Sequence, residues 1–343
     1  MKLLIITQVI DIEHPILGFF HRWVLEFAKH CEHVHVIALQ VGTHSLPANV
    51  TVHSLGKDEG KGRLTYVRRF YTLIWSLRHE YDNVFVHMNQ LYVILGAPLW
   101  QTLRKKVGLW YAHGAVSNSL KLAVMLADTI FTSTAEGMRI QTPKKAIVGQ
   151  GIDTDLFCQA NKEPSDGLRL ITVGRISQSK NLETLIRACA SLKKEQIDFT
   201  FSIVGEALTA KDVAYKEKMK ALCAELAVEK SILWTGSMTQ AQLPAALQQA
   251  DVFIHDGSTN SLDKTLLEAS LCGCTVISSN PAYVRLVILF GRDLVFTPHD
   301  HTALKESILL AREDKADTSE QIRLYIKEHF NVANLVSGIL GKM

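Results

Sequence analysis

Two cations five positions apart, Arg175 and Lys180, lie in the run VGRISQSKN, directly after an apolar stretch and just ahead of a helical pattern that starts near Asn181. In a strand-to-helix loop, a guanidinium and an ammonium beside the free amides of a helix start would surround an anion, with solvated surface cations as the alternative. A carboxylate stands in a second run, HDGSTNSLDKTLLEASLCGCTVIS, where Glu268 sits between Leu267 and Ala269 just before the LCGC turn and an apolar strand. Burying a lone carboxylate costs several kcal/mol unless it is paired or hydrogen-bonded. A pair of ligand hydroxyls could satisfy it, and so could solvent if that helix face points outward. Ser261, Asp263 and Thr265 stand where a helix start needs a cap, and the free amides there would point at a phosphate or sugar oxygen. Neither TQVIDIEHPILG nor VGRISQSKN carries the G-x-G-x-x-G of a dinucleotide site, and no Walker A pattern occurs, so a phosphate site must be built another way.

The elements that must position these residues follow a repeated rhythm. Short β-branched or apolar runs alternate with longer helical patterns, which predicts two parallel-sheet α/β units. In the first half the strands are predicted at 2–7, 34–39, 50–55, 83–88, 108–113, 129–134 and 145–150; in the second half at 168–174, 199–205, 232–236, 251–256, 275–279 and 293–297. Each half reads as Rossmann-like and doubly wound. The Gly- and Asp-rich segment 149–167 marks the boundary, giving domains at 1–157 and 158–343, with the last helix free to return to the first domain. Ligand is then expected at the carboxyl ends of the strands, in a crevice between the two units. His87 and Asn89 end a first-half strand and are acceptor-side candidates, with a packing role as the alternative.

Composition narrows the class. The 343 residues suffice for two domains, and 47% hydrophobic with 21% charged residues excludes disorder and a multi-span membrane protein. The opening MKLLIITQVIDIEHP meets acids and a proline and reads as a strand, not a leader, and no window approaches the ~20 apolar residues of a span. Six cysteines without a C-x-x-C pair read as reduced, buried thiols of a cytosolic protein with no tetrahedral metal site. The net charge of +3 hides an asymmetry, since residues 1–150 hold sixteen Lys/Arg against ten Asp/Glu. That excess could favour an anionic acceptor or an acidic membrane surface. In GKGRLTYVRRFYTLIWSLRH, Arg63, Arg68, Arg69 and Arg78 interleave with Tyr66, Phe70, Tyr71 and Trp75. The helical spacing puts those aromatics mostly on one face, read first as core-facing and second as membrane-facing.

Taken jointly, VGRISQSKN, FSIVGEA, WTGSMTQAQLPAALQQADVFIHD and NSLDKTLLEASLCGCTVIS resemble, in order and spacing, a retaining glycosyltransferase of family 4 with the GT-B fold. The first half agrees more loosely, through Gly18 in the loop after the opening strand, LWYAHG with His113, and GQGID. The resemblance implies two Rossmann-like domains facing a cleft, and transfer of a sugar from a nucleoside diphosphate sugar, such as a UDP or GDP sugar, to the hydroxyl of a glycan, lipid-linked or small-molecule acceptor. It further implies that Arg175 and Lys180 hold the donor diphosphate, that Glu268 binds the ribose hydroxyls, and that His113 lies near the donor sugar. Gly18, Gly174, Gly205, Glu206 and the segment Ser261, Leu262, Asp263, Lys264 and Thr265 match donor-binding positions.

One departure concerns Asn260, where the family usually has a first glutamate eight residues before the second. An amide can hydrogen-bond sugar hydroxyls but cannot act as the nucleophile of a double displacement, which leaves same-face attack with retention set by geometry. The same departure allows a non-catalytic nucleotide-sugar-binding homologue, and a sugar-nucleotide epimerase shares the fold. No metal or cofactor is expected, because two cations and helix amides can neutralise the diphosphate and no DxD-type acid pair ends a strand. The expected setting is cytoplasmic, with peripheral contact at the inner membrane face and no nucleic-acid partner.

Overall fold

The computed structural model describes residues 1–257, 261–291, 294–313 and 317–343. Two compact units emerge, Met1–Asp153 with Phe330–Met343, and Thr154–His329. The first unit thus ends at 153 instead of 157 and also takes the last fourteen residues of the chain.

The first unit holds β1 (Lys2–Ile10), β2 (His33–Val41), β3 (Val50–Ser54), β4 (Asn83–His87), β5 (Lys106–Trp110), β6 (Thr129–Thr132) and β7 (Lys145–Ile147). They form one sheet in the order β3-β2-β1-β4-β5-β6-β7, every pairing parallel, with Ile5 of β1 level with Val36 and Phe85 of its two neighbours. Leu3, Leu4, Ile5 and Ile6 are all fully buried, as the central strand of a sheet covered on both faces requires. Helices α1 (Phe19–His30), α2 (Arg63–Ser76), α3 (Gln90–Thr102) and α4 (Asn118–Leu126) supply the covering layers. Phe70, Ile74, Trp100 and Leu120 of α2, α3 and α4 build one core. Phe20, Trp23 and Phe27 of α1 build the other with Leu335 and Ile339 of the C-terminal helix, Val332–Leu340, which is α12 in chain order. An isolated parallel bridge joins Ile152 to Asn331, and the Trp23 indole donates to the Gly151 carbonyl at 3.0 Å.

The second unit holds β8 (Leu168–Val173), β9 (Phe199–Val204), β10 (Ile232–Gly236), β11 (Val252–His255) and β12 (Thr275–Ser278), again all parallel, in the order β10-β9-β8-β11-β12. Its helices are α5 (Leu182–Lys194), α6 (Ala210–Glu225), α7 (Leu243–Gln249), α8 (Lys264–Leu271), α9 (Pro281–Ile288), α10 (His301–Glu313) and α11 (Asp317–His329). The order of strands reverses between β8 and β11, so loops leaving those two strands part to opposite sides and open a crevice at their carboxyl ends.

Three expectations change. Residues 294–297 form no strand, although Leu294 and Phe296 fill the core beside α10; Asp293 lies outside the described residues. Tyr71 and Trp75 of α2 point outward, because Phe70 and Ile74 already supply the apolar contacts beneath the helix. Cys158 is exposed while the other five cysteines are buried.

Candidate functional site

The carboxyl end of β8 is shaped by two glycines. Gly174 has φ +150°, and a Cβ there would stand 2.9 Å from Cε of Lys180, so the bare backbone gives the lysine stem its bed. Gly205, at the end of β9, has φ +143°, and its Cβ would lie 1.9 Å from the Gly174 carbonyl oxygen. No side chain fits between the two strands there. A 3-10 turn, Gln178–Lys180, follows, and Asn181 in the left-handed conformation (φ +44°) starts α5 near its predicted position.

Both cations are anchored by carboxylates far away in sequence. Arg175 directs Nε and Nη2 at Asp212 Oδ2, at 3.0 and 2.5 Å. Asp212 belongs to a capping box that opens α6, accepting from the Thr209 hydroxyl and amide at 2.7 and 3.0 Å. The Arg175 guanidinium, followed by Thr209, holds the Asp212 carboxyl below its ordinary range. A shallow pocket of about 270 Å³ borders this pair, lined also by Ser177, Ser179, Lys211 and Tyr215.

Lys180 reaches across the crevice between β8 and β11. Its Nζ lies 2.5 Å from Asp263 Oδ2 and 3.4 Å from His255 Nε2. Asp263 is the N-cap of α8, its Oδ1 accepting from the Thr265 amide at 3.4 Å and hydroxyl at 3.1 Å. One carboxylate therefore caps the helix with one oxygen and holds the lysine with the other. Burial opposes its ionisation, yet the Lys180 charge and His255 hold its carboxyl well below the usual carboxylate range. His255 ends β11, 1% exposed, and its Nδ1 is 3.0 Å from the Ser278 hydroxyl at the end of β12. Burial, then the Lys180 charge, push the His255 imidazole towards its neutral form.

Along α8, Glu268 is 3% exposed, which answers the question of its orientation: the carboxylate faces inward. Lys264 precedes it by one helical turn on the same face. Burial drives the Glu268 carboxyl up and the Lys264 ammonium down, each moderated by the opposite charge of the other. The Glu268 carboxylate is buried and Lys264 half-buried, and the carboxylate can exchange part of that attraction for hydrogen bonds from ligand hydroxyls.

The remaining predicted residues divide. Leu262 is buried, and the Ser261 carbonyl accepts from Asn280 Nδ2 at 3.0 Å; Asp263 alone of the three capping candidates caps the helix. The Glu206 carboxylate pairs with Lys216 at 2.6 Å beside Gly205. Asn260 lies outside the described residues. In the first unit, Gly18 opens α1, and a Cβ on it would meet the His14 carbonyl oxygen at 2.7 Å. The loop before it is tied by the His14 imidazole, whose Nδ1 accepts from the Ile16 and Leu17 amides at 3.2 and 3.0 Å. His113 is exposed beyond β5, its Nδ1 accepting from the Ala115 amide at 3.1 Å. His87 is a packing residue: it is buried, stacks on Phe20 at 4.1 Å and contacts Phe19 and Trp23. The Asn89 side chain caps α3.

Sequence reasoning missed Asp212 and His255. The T-x-x-D spacing of Thr209 and Asp212 was a readable capping signal, whereas nothing local to His255 reveals that it meets Lys180.

Two Rossmann-like units with parallel sheets of these orders define the GT-B class of glycosyltransferase folds. Residues 153–329 match the family described as glycosyl transferases group 1, and the chain belongs to that family. WcaL of Salmonella typhimurium, named as a glycosyltransferase of colanic acid biosynthesis, is 24% identical over 215 residues, covering 56% of this chain and 52% of that protein. Alpha-monoglucosyldiacylglycerol synthase of Streptococcus pneumoniae is 25% identical over 159 residues, covering 46% of this chain and 34% of that protein. The chain thus spans about half or less of the length of the curated relatives it matches. Anabaena Alr3699/HepE, solved in complex with UDP-glucose, shares the fold at a TM-score of 0.78, with 17% identity and 100% of both chains covered.

Proposed function

We propose that this chain transfers a hexose from a nucleoside diphosphate sugar to a hydroxyl of a glycan or lipid-linked acceptor, with retention of anomeric configuration and without a metal ion. The observation that carries this reading is the convergence of Lys180, Asp263 and His255 at the point where the strand order of the second unit reverses. A lysine preset there by a carboxylate is suited to the charge that grows on a leaving diphosphate, because its position costs no reorganisation during the reaction. Arg175 adds a second cation from the same loop, and the α8 amides add their dipoles. Glu268 takes the donor ribose hydroxyls, and Gly205 and Glu206 border the base.

The complexes of Anabaena Alr3699/HepE with UDP and UDP-glucose support the donor class, and the glycan and glycolipid names of the curated relatives support the acceptor class. With Asn260 in place of a carboxylate, the acceptor oxygen bonds to the anomeric carbon on the face that the phosphate oxygen leaves. The departing phosphate oxygen takes the acceptor's proton, so no covalent enzyme intermediate is needed. No described helix is long and apolar enough to cross a membrane, and the reading places the enzyme in the cytoplasm at the inner membrane face.

A panel of UDP, GDP and ADP sugars, incubated with lipid-linked and soluble acceptors in chelator, tests the proposal. Product is expected with one donor class, its new linkage keeping the donor's anomeric configuration by NMR. Inverted product would overturn the stereochemical reading, and tight donor binding without turnover on any acceptor would leave a binding protein.

A further inference from the structure

The positive excess of the first unit is concentrated on one side of its sheet. Residues 61–127 carry nine Lys/Arg and two Asp/Glu, and no acid occurs between Asp82 and Asp128. This stretch contains α2, α3 and α4, which cover the same sheet face, while α1 and α12 cover the other. Arg69 is neutralised by Glu59, at 2.5 and 2.8 Å. Arg63, Arg68, Arg78, Arg104, Lys106 and Lys121 have no carboxylate within ion-pair distance among the described residues.

Apolar side chains stand outward among these cations. Leu64 is 88% exposed, Trp75 57% and Met125 74%, with Tyr71 of α2, Leu91 of α3 and Leu122 of α4 also exposed. Leu64, Tyr71 and Trp75 fall at i, i+7 and i+11 along α2, a single stripe on the side away from Phe70 and Ile74. The Arg78 guanidinium lies over the Trp75 ring, 4.4 Å from its centroid. A helix with an apolar outer stripe flanked by arginines is the arrangement that lies in a headgroup layer, its rings at the boundary and its cations on lipid phosphates.

We infer that the α2–α3–α4 face of the first unit docks on an anionic lipid bilayer, with Leu64, Trp75 and Met125 entering the headgroup boundary and Arg63, Arg68, Arg78 and Lys121 meeting lipid phosphates. Charge complementarity selects an anionic partner. Leu64 and Met125 carry no hydrogen-bond donor, and Trp75 sets a large apolar ring beside a single indole N–H, so these tips, spread over separate helices, favour a layer with a hydrocarbon interior over a nucleic acid. The proposal deepens the membrane-face reading above and needs no part of the reaction assigned to the second unit.

Flotation of the full chain with phosphatidylcholine vesicles, with and without phosphatidylglycerol, tests it. Binding is expected on the anionic vesicles only, weakening with salt. Arg63→Glu, Arg68→Glu and Lys121→Glu together should lower partition about tenfold or more. Brominated lipid should quench tryptophan emission, and Trp75→Phe should remove that quenching. Leu64→Ser with Trp75→Ser should lower partition while donor protection against thermal unfolding stays at the parent level, which separates loss of docking from failure of the glycosyl-transfer reading. No partition onto anionic vesicles, unchanged partition in the variants, tighter binding to RNA than to vesicles, or a lipid-independent dimer lost in Leu64→Ser/Trp75→Ser would each overturn the inference.

Discussion

The loops that follow β1 and β8 occupy the same place in their respective sheets, each leaving the first strand beside the point where the strand order reverses, yet they are furnished in different ways. The loop after β1 offers backbone: Gly18 is pressed against carbonyl oxygens, and the one ring inside the loop, His14, is spent on two amides. The loop after β8 offers full charges, Arg175 and Lys180, each steadied by a carboxylate that also caps a helix. A shared scaffold position fixes where a ligand meets the protein, and side-chain chemistry decides what is done there.

The largest expected effect tests the charged loop. Lys180→Ala should lower kcat by about a hundredfold or more, the scale of losing one preorganised charge at a leaving group; steady-state kinetics with an intact fold by circular dichroism would show it, and an unchanged rate would remove the contrast between the loops. Next comes Asp263→Asn, which loses part of a cap and the partner of a half-buried ammonium, at about 2 kcal/mol near neutral pH. Because the Asp263 carboxyl is held well below 3.8 in the folded chain, its stabilisation is complete above 3.8 and fades as pH falls through the lower folded value. Thermal unfolding of Asp263→Asn and its parent should therefore differ at pH 7 and converge in acid; a difference independent of pH would refute the charge account. The smallest effect belongs to the backbone loop. His14→Ala should destabilise by about 1 kcal/mol through two lost amide partners, and should leave donor protection of the second unit intact.

Much of this architecture was legible because parallel strands, buried on both faces, announce themselves as continuous apolar runs. The first twelve predicted runs, from 2–7 to 275–279, became the strands of the two sheets, and Glu268 was suspect because Leu267 and Ala269 flank it. The exception at 293–297 has the right residues, since Leu294 and Phe296 are buried, but strand formation needs a neighbour's hydrogen bonds, which no local pattern encodes. Helical periodicity revealed which α2 residues share a face but not which way it points, and Tyr71 and Trp75 turned out. The pairing of Arg175 with Asp212 and of Lys180 with Asp263 spans 37 and 83 residues, distances over which a sequence carries no visible signal of contact.

The bridge between Ile152 and Asn331 makes the whole stretch from 154 to 329 an insertion: the polypeptide leaves and rejoins the first unit at neighbouring points. Trimming the final helix would accordingly strip Leu335 and Ile339 from the core begun by α1, and the damage from a C-terminal truncation would fall on the amino-terminal half. Excising the insert and rejoining its flanks with a short linker, by contrast, would keep every strand of the seven-stranded sheet in one piece.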